Sequence, residues 1–350
     1  MRLNIFRPIG IVFLLTALIV MYAAVGDSQA QSEINVSDQL TEAMDLYINL
    51  EFEKGLDITR SLLERTDLND QDSIAIYSVM SMITYGMGAD YLKQAFGYLD
   101  VIAKIGPCKV PLPYDFWPQQ LRHQWYQIVN AKNALVCTAE GDAGVQTVAI
   151  MEFDNYSVGK YQEELGFITK GLADFFEADF SKISSLRVVE RDKIDFILQE
   201  LELTKSGQVD AATAAKVGKL LGAQLMIFGS IVQLDDKNTK MLVKAVKVET
   251  SEIVTSVEKE GKPDYFKMEK ELVTELAEKL NLSLNEDTQK LIKAAGTESN
   301  DAATLYAKGL YYQDRYDYKK AYDYFRQAYE IDGNFAEAKK KMDIYRPLAT

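Results

Sequence analysis

Two short apolar runs that bracket a pair of helical segments constrain this chain most. From Leu186 to Ser230 it reads LRVVERDKIDFILQELELTKSGQVDAATAAKVGKLLGAQLMIFGS. Brief β-branched runs bounded by turn residues read as buried strands, whereas apolar residues recurring at three-and-four spacing read as amphipathic helix. The order strand, helix, turn, helix, strand predicts a small α/β domain whose sheet is built on both sides of a helical pair. The first strand covers Leu186 to Glu190. Asp192 is placed to cap a helix from Lys193 to Leu203, with Asp195 favouring its positive end. The second helix runs from Ala211 to Leu221. Gly218 inside it gives up about 1 kcal/mol of helix propensity and permits close backbone approach, and Gly222 is the expected C-cap.

The flanking segments extend this domain. VQTVAIMEFDNYS is an apolar β-run ending in the turn formers Asp154 and Asn155. A long helix is expected from about Gln162 to Ser181, with Leu165, Ile168, Leu172, Phe175, Phe176 and Phe180 on one face, and that face must lie on the sheet. Gln224 to Leu234, Lys240 to Val248 and Glu252 to Glu258 read as an antiparallel meander. A helix from Phe266 to Leu284, carrying Leu272, Leu276 and Leu280, covers another part of the sheet.

The ends of the chain read as helical. Arg2 and Arg7 precede an apolar run from Ile9 to Val25 and then Ser28-Gln29-Ala30, the layout of a secretory signal peptide over 1–30, with cleavage expected after Ala30. The apolar run, about 17 residues long, sits at the low end of what spans a bilayer, which leaves an uncleaved anchor as the alternative. Export makes Cys108 and Cys137 a disulfide candidate, since paired cysteines in an oxidising compartment are commonly bridged; two buried thiols are the other reading. Over 31–140 the spacing predicts helical hairpins. Apolar Ala43, Leu46, Tyr47 and Leu50 lie before a break near Glu51 to Lys54, and Leu56, Ile58, Leu62 and Leu63 lie after it. A second pair follows over Ser73 to Met87 and Tyr91 to Ile105, then a Pro-rich connector, then a helix from about Gln119 to Ala139. In the last region, 298–350, Leu305, Gly309, Tyr312, Tyr318, Ala321, Phe325, Ala328 and Gly333 form the clearest repeat, followed by a third helix over Asn334 to Tyr345.

Two resemblances follow from these residues. Val188 to Ile194 and Ala214 to Ser230 resemble, in order, the strand-to-helix turn and the Ala/Gly-rich helix and strand of the CsgG-like envelope proteins. The opening strand ending in Phe153-Asp154-Asn155 agrees, so the resemblance covers 145–285. The C-terminal spacing resembles a tetratricopeptide repeat, and the N-terminal hairpins resemble degenerate copies of it. Together these imply a fold class of α/β (α+β), with a central mixed sheet covered by helices and all-α hairpins at both ends. In tetratricopeptide repeats the first helix lines the concave surface, so the resemblance makes Tyr306, Leu310 and Gln313 candidate partner-binding residues.

Composition narrows the function. A net charge of −13 and a pI near 4.8 oppose a sequence-independent grip on nucleic acid, which needs a basic surface. A single His, His123, and two Cys are a poor stock for transition-metal ligands. The glycines of GKLLGA lack phosphate-loop spacing, and no Ser or Cys has a His partner in a nucleophile signature. No cofactor and no enzyme activity are expected. Glu190 and Arg191 are expected to form a structural ion pair or an interface contact. The reading is an exported, non-enzymatic envelope scaffold, located in the periplasm or on the periplasmic face of the outer membrane. Its α/β domain serves assembly, homo-oligomers included, its helical repeats bind a protein partner, and membrane association comes through partners. A subunit of a curli-type outer-membrane secretion channel is the alternative, although such a pore needs extra alternating segments of about ten residues. A small-ligand receptor or hydrolase is the second alternative and requires a deep pocket with convergent polar groups.

Overall fold

The computed structural model describes residues 30–107, 117–132, 134, 145–200 and 210–349. The expected signal peptide and the Cys108–Cys137 bridge lie outside the described residues. The chain divides into two compact units, one reaching to Leu121 and including Arg346–Leu348, the other running from Arg122 to Tyr345.

The first unit is built from helices α1 (Ala30–Ile48), α2 (Phe52–Leu63), α3 (Asp70–Gly86) and α4 (Leu92–Ile105). The expected break near Glu51 is present. Leu50 adopts φ 66° between α1 and α2. Asn69 and Asp72 close a reciprocal capping box at the start of α3, which satisfies two amide hydrogens that no helical carbonyl can reach. Ala43, Tyr47, Leu56, Ile76, Ile83, Ala95 and Leu99 are fully covered. Trp117 is also buried, and its indole donates to the Ser78 carbonyl at 3.3 Å.

The division falls within helix α5 (Gln119–Ala131). The second unit then places β1 (Gln146–Ile150), β2 (Asp154–Asn155), α6 (Lys160–Glu164), α7 (Ile168–Phe180), β3 (Leu186–Val189), α8 (Arg191–Glu200) and α9 (Ala211–Leu221). It continues through β4 (Leu225–Gln233), β5 (Thr239–Lys247), β6 (Glu252–Gly261), α10 (Tyr265–Lys279), α11 (Glu286–Ala294), α12 (Asn300–Gln313), α13 (Tyr318–Ile331) and α14 (Ala336–Tyr345). The sheet order is β3-β1-β4-β5-β6, with β2 pairing on β4. β1 runs parallel to β3 and β4, while β4, β5 and β6 form the antiparallel meander. The sheet is therefore mixed, and β1 stands between the two strands that bracket the helical pair.

One sheet face carries Leu225, Ile227, Ile231, Met241, Val243 and Ala245, packed with Leu172, Phe176 and Phe180 of α7 and Leu272, Val273 and Leu276 of α10. Gly229 has a geometric duty there, because a Cβ on it would stand 2.5 Å from the Phe153 ring and 2.6 Å from the Leu242 carbonyl oxygen. Toward α9, a Cβ on Gly218 would meet Val248 at 2.5 Å, so that helix sits close to the strands. Gly222 closes α9 at φ 67°, and Asp210 accepts the Thr213 amide at the other end.

Three boundaries differ from the sequence expectation. The long helix is two, α6 and α7, separated at Leu165–Phe167, where Gly166 weakens helical continuity. The helix of the central motif begins at Arg191, which puts Asp192 inside its first turn instead of at the cap. α10 ends at Lys279, followed by Asn281 at φ 56°, a left-handed residue that turns the chain toward the separate helix α11.

Candidate functional site: a buried charged joint

Helix α7 is covered on nearly all sides, with Thr169, Lys170 and Asp179 buried alongside its apolar residues. A helix in that position is normally apolar all round. Its polar side chains therefore mark where something other than oily packing is being positioned. On the side away from the sheet it meets α12, and a Cβ on Gly171 would lie 2.9 Å from Ala307 Cβ.

At this contact Lys170 pairs with Asp314, the residue that closes α12. Asp314 Oδ1 also lies 3.6 Å from Arg191 Nη2. Arg191 Nη1 stands 3.8 Å from Asp195 Oδ2 one turn along α8, and its amide donates to Glu177 of α7 at 3.3 Å. Lys170 is 3.9 Å from Glu152. Lys170, Arg191, Asp195 and Asp314 are all nine-tenths or more buried as side chains. Isolated, each would cost several kcal/mol to desolvate; together they offset one another and fix geometry more than they add net stability.

Beside this network, Tyr306 donates its hydroxyl to Asp174 of α7 at 2.8 Å. Burial, reinforced by the Asp174 charge, holds its phenol well above the usual tyrosine range. Its ring packs against Phe335 at 4.9 Å and Phe325 at 5.3 Å. Leu310 and Gln313 are fully covered in the same contact. Glu190, adjacent to Arg191, accepts a hydrogen bond from Tyr126 at 2.7 Å. Lys193 on the same helix is lowered, because burial disfavours its charge and Glu190 only partly restores it.

Of the five residues singled out in the sequence, Arg191 belongs to this network, Tyr306 and Glu190 stand beside it, and Leu310 and Gln313 are buried on the same helix as Tyr306. Arg191 lies within ion-pair range of Asp195 and Asp314. Tyr306, Leu310 and Gln313 are not groove residues: the face of α12 that a free repeat would leave open is occupied by α7, so none of the three meets solvent. Repeat spacing tells which residues leave the hairpin interface but not what stands opposite them. Sequence reasoning also missed Lys170 and Asp314. Lys170 stands on the side of α7 away from its apolar face and Asp314 at a helix end, positions that read from the sequence as solvated.

A second charged cluster lies between α7 and α10. Asp179 accepts Lys182 Nζ at 2.7 Å and pairs with Lys270. Glu269, completely covered, has its Oε2 3.4 Å from Lys270 Nζ. Burial, and after it the Asp179 charge, pushes the Glu269 carboxyl up to about 8. Burial by itself would lower Lys270, but Glu269 and Asp179 outweigh it and raise it.

A groove of about 660 Å³ opens at the end of the sheet, lined by Lys219, Lys247, Glu249, Val254, Lys279 and Leu280 among others. Its lysines Lys247 and Lys279 sit 3.2 Å from Glu249 and Glu275. No member of the charged joint lines it. Among the described residues no group of three or more His, Cys, Asp or Glu is arranged to hold a metal ion, and no helix is long and apolar enough to cross a membrane.

These elements define a mixed-sheet α/β domain with the VVER turn and its following helix pair at the centre. A family model described as "Curli production assembly/transport component CsgG" matches residues 131–242, from the end of α5 into β5. Solved structures matched in comparison include "NMR structure of E. coli LpoB", at 12% identity and TM-score 0.28, covering 34% of this chain and 57% of that one. The LpoB C-terminal domains from Salmonella enterica and Escherichia coli are each 14% identical with TM-score 0.26. They cover 42% and 43% of this chain and 97% and 96% of their own. The chain thus spans little more than half of the first of these. No curated protein matches the sequence.

Proposed function

We propose that this chain is a non-enzymatic envelope protein in which the CsgG-like domain serves assembly and the helical segments recruit a protein partner. The observation that carries the reading is the match of the central α/β domain to the CsgG family model, joined to a buried charge network that spends its ionisable groups on holding the C-terminal hairpin. Groups locked in this way, covered from solvent and paired in charge with one another, are arranged for shape and not for turnover. Two lysines of the groove at the sheet end are committed to neighbouring carboxylates, which leaves it short of the convergent polar set that a small-ligand receptor needs.

Fractionation of cells producing the chain, followed by protease treatment of intact and permeabilised cells, tests the compartment. Recovery with the envelope, protected until the outer barrier is opened, is expected. Recovery in the cytosol would overturn the reading.

A further inference from the structure

With one face of α12 held by α7, the opposite face is the one turned outward. It carries Lys308, Tyr311 and Tyr312 at helical spacing, and Arg315 follows in the turn just past the end of the helix. α13 sets Lys320 and Tyr324 beside them, and Phe167, just ahead of α7, completes the row. The rings form a ladder. Phe167 meets Tyr311 edge-on at 4.9 Å, Tyr311 meets Tyr312 edge-on at 5.3 Å, and Tyr312 stacks on Tyr324 at 5.4 Å.

Cations lie over these rings. The Arg315 guanidinium carbon is 3.3 Å from the Tyr311 centroid, Lys320 is 4.9 Å from that of Tyr312, and Lys308 lies between Phe167 at 5.7 Å and Tyr324 at 6.0 Å. Lys320 is paired with Asp317 at 2.7 Å. Among the described residues Lys308 and Arg315 have no carboxylate partner. Arg315 instead donates to the Tyr311 carbonyl at 3.0 Å. Elsewhere on the surface Lys240 pairs with Glu258 and Arg326 with Glu330. Next to Arg315, Tyr316 is held at φ 58° with 45% of its surface open.

Prearranged rings give up little conformational freedom on binding, and Tyr and Arg are the side chains most enriched where interfaces concentrate their energy. Unmatched cations on such a platform set the sign of what lands there. We propose that this outward face of the C-terminal hairpin docks an acidic peptide segment of a partner protein. Its carboxylates meet Lys308 and Arg315, and its apolar side chains lie on the Phe167–Tyr311–Tyr312–Tyr324 ladder. The proposal deepens the partner-recruiting part of the function above and rests on it.

The test measures fluorescence anisotropy of a short fluorescein-labelled peptide of alternating Glu and Leu titrated with the purified chain, next to the same peptide with Gln for Glu. The Glu peptide is expected to bind at least about tenfold more tightly than the Gln peptide, and the Lys308→Ala/Arg315→Ala double variant to lose that advantage. Lys308→Gln with Arg315→Gln serves if the alanine pair lowers the melting temperature. Lys290→Ala/Lys293→Ala, on α11, leaves binding unchanged. Equal binding of the two peptides, no binding, or an unaffected double variant overturns the proposal. So does binding to phosphatidylglycerol vesicles in place of the peptide, lost in the same variant. Because the assay uses purified protein, its failure is separable from a wrong compartment, which only fractionation reads.

Discussion

Tyr306 on α12 donates its hydroxyl to Asp174 on α7 at 2.8 Å, and its ring fills the space between Phe175, Phe325 and Phe335. One side chain therefore ties the C-terminal hairpin both to the helix under the sheet and to its own second helix. The polar and apolar halves of that role separate by mutation. Tyr306→Phe keeps the packing and removes the donor, at a cost of about 1 kcal/mol. Tyr306→Ala opens a cavity in the fully covered contact and costs about 3–5 kcal/mol. Urea unfolding of the two variants checks the ordering; equal losses would mean that the ring is not packed as described.

Arg191 faces two buried carboxylates, Asp195 and Asp314, from the start of α8. Arg191→Met leaves uncompensated negative charge in a covered site, and removal of one partner from such a network costs about 3–5 kcal/mol. Arg191→Lys is expected to recover only part of this, because a point charge cannot span both acids as the guanidinium fork does. Asp314→Asn combined with Arg191→Met costs less than the two single losses added together, since each removes part of the same interaction. Strict additivity in a double-mutant cycle would show that the two residues are uncoupled.

Much of the fold was written locally. Ala211–Leu221 with its Gly222 cap, the three strands of the meander and the break before α2 each follow from a short-range pattern that tertiary contacts did not override. The site was legible only in part. VVER drew attention to Arg191, because a charged residue at a strand-to-helix turn in an apolar setting needs a partner close by. The repeat spacing marked Tyr306, Leu310 and Gln313 as residues with a shared face but could not say that α7 fills it. Helix α7 hides its own clue in the same way: Lys170 reads as a snorkelling surface residue until the carboxylate of Asp314, 144 positions later by their numbers, is seen beside it.

Gly309, one of the repeat residues, lies where α12 and α13 touch, and a Cβ there would stand 2.4 Å from the Phe325 ring. Gly309→Ala must push that ring aside inside a fully covered contact, an overpacking cost of about 1–3 kcal/mol that outweighs the gain in helix propensity. Gly333→Ala, where no atom lies within 4 Å of the new methyl, is expected to be close to neutral. Thermal unfolding of the pair distinguishes crowding from a general intolerance of the hairpin; equal melting temperatures would remove Gly309 from the packing argument.

Glu269 sets an expected pH dependence. Its carboxyl is raised from 4.5 to about 8, first by burial and then by Asp179, so the folded chain keeps a proton that the unfolded chain releases. The groups facing it are Asp179 and Lys182 from α7 and its end, and Lys270 on its own helix. Its contribution is fully present below about pH 4.5, is lost as pH rises toward about 8, and levels off beyond. Within that window the slope reaches at most about 1.4 kcal/mol per pH unit, with the two lysines reducing it. Glu269→Gln retains the neutral shape without a titrating group, so unfolding free energy measured from pH 5 to pH 9 in both proteins should diverge steadily, the variant gaining relative to the parent as pH rises. Parallel curves would mean that Glu269 is already ionised throughout, compensated by Lys270 alone.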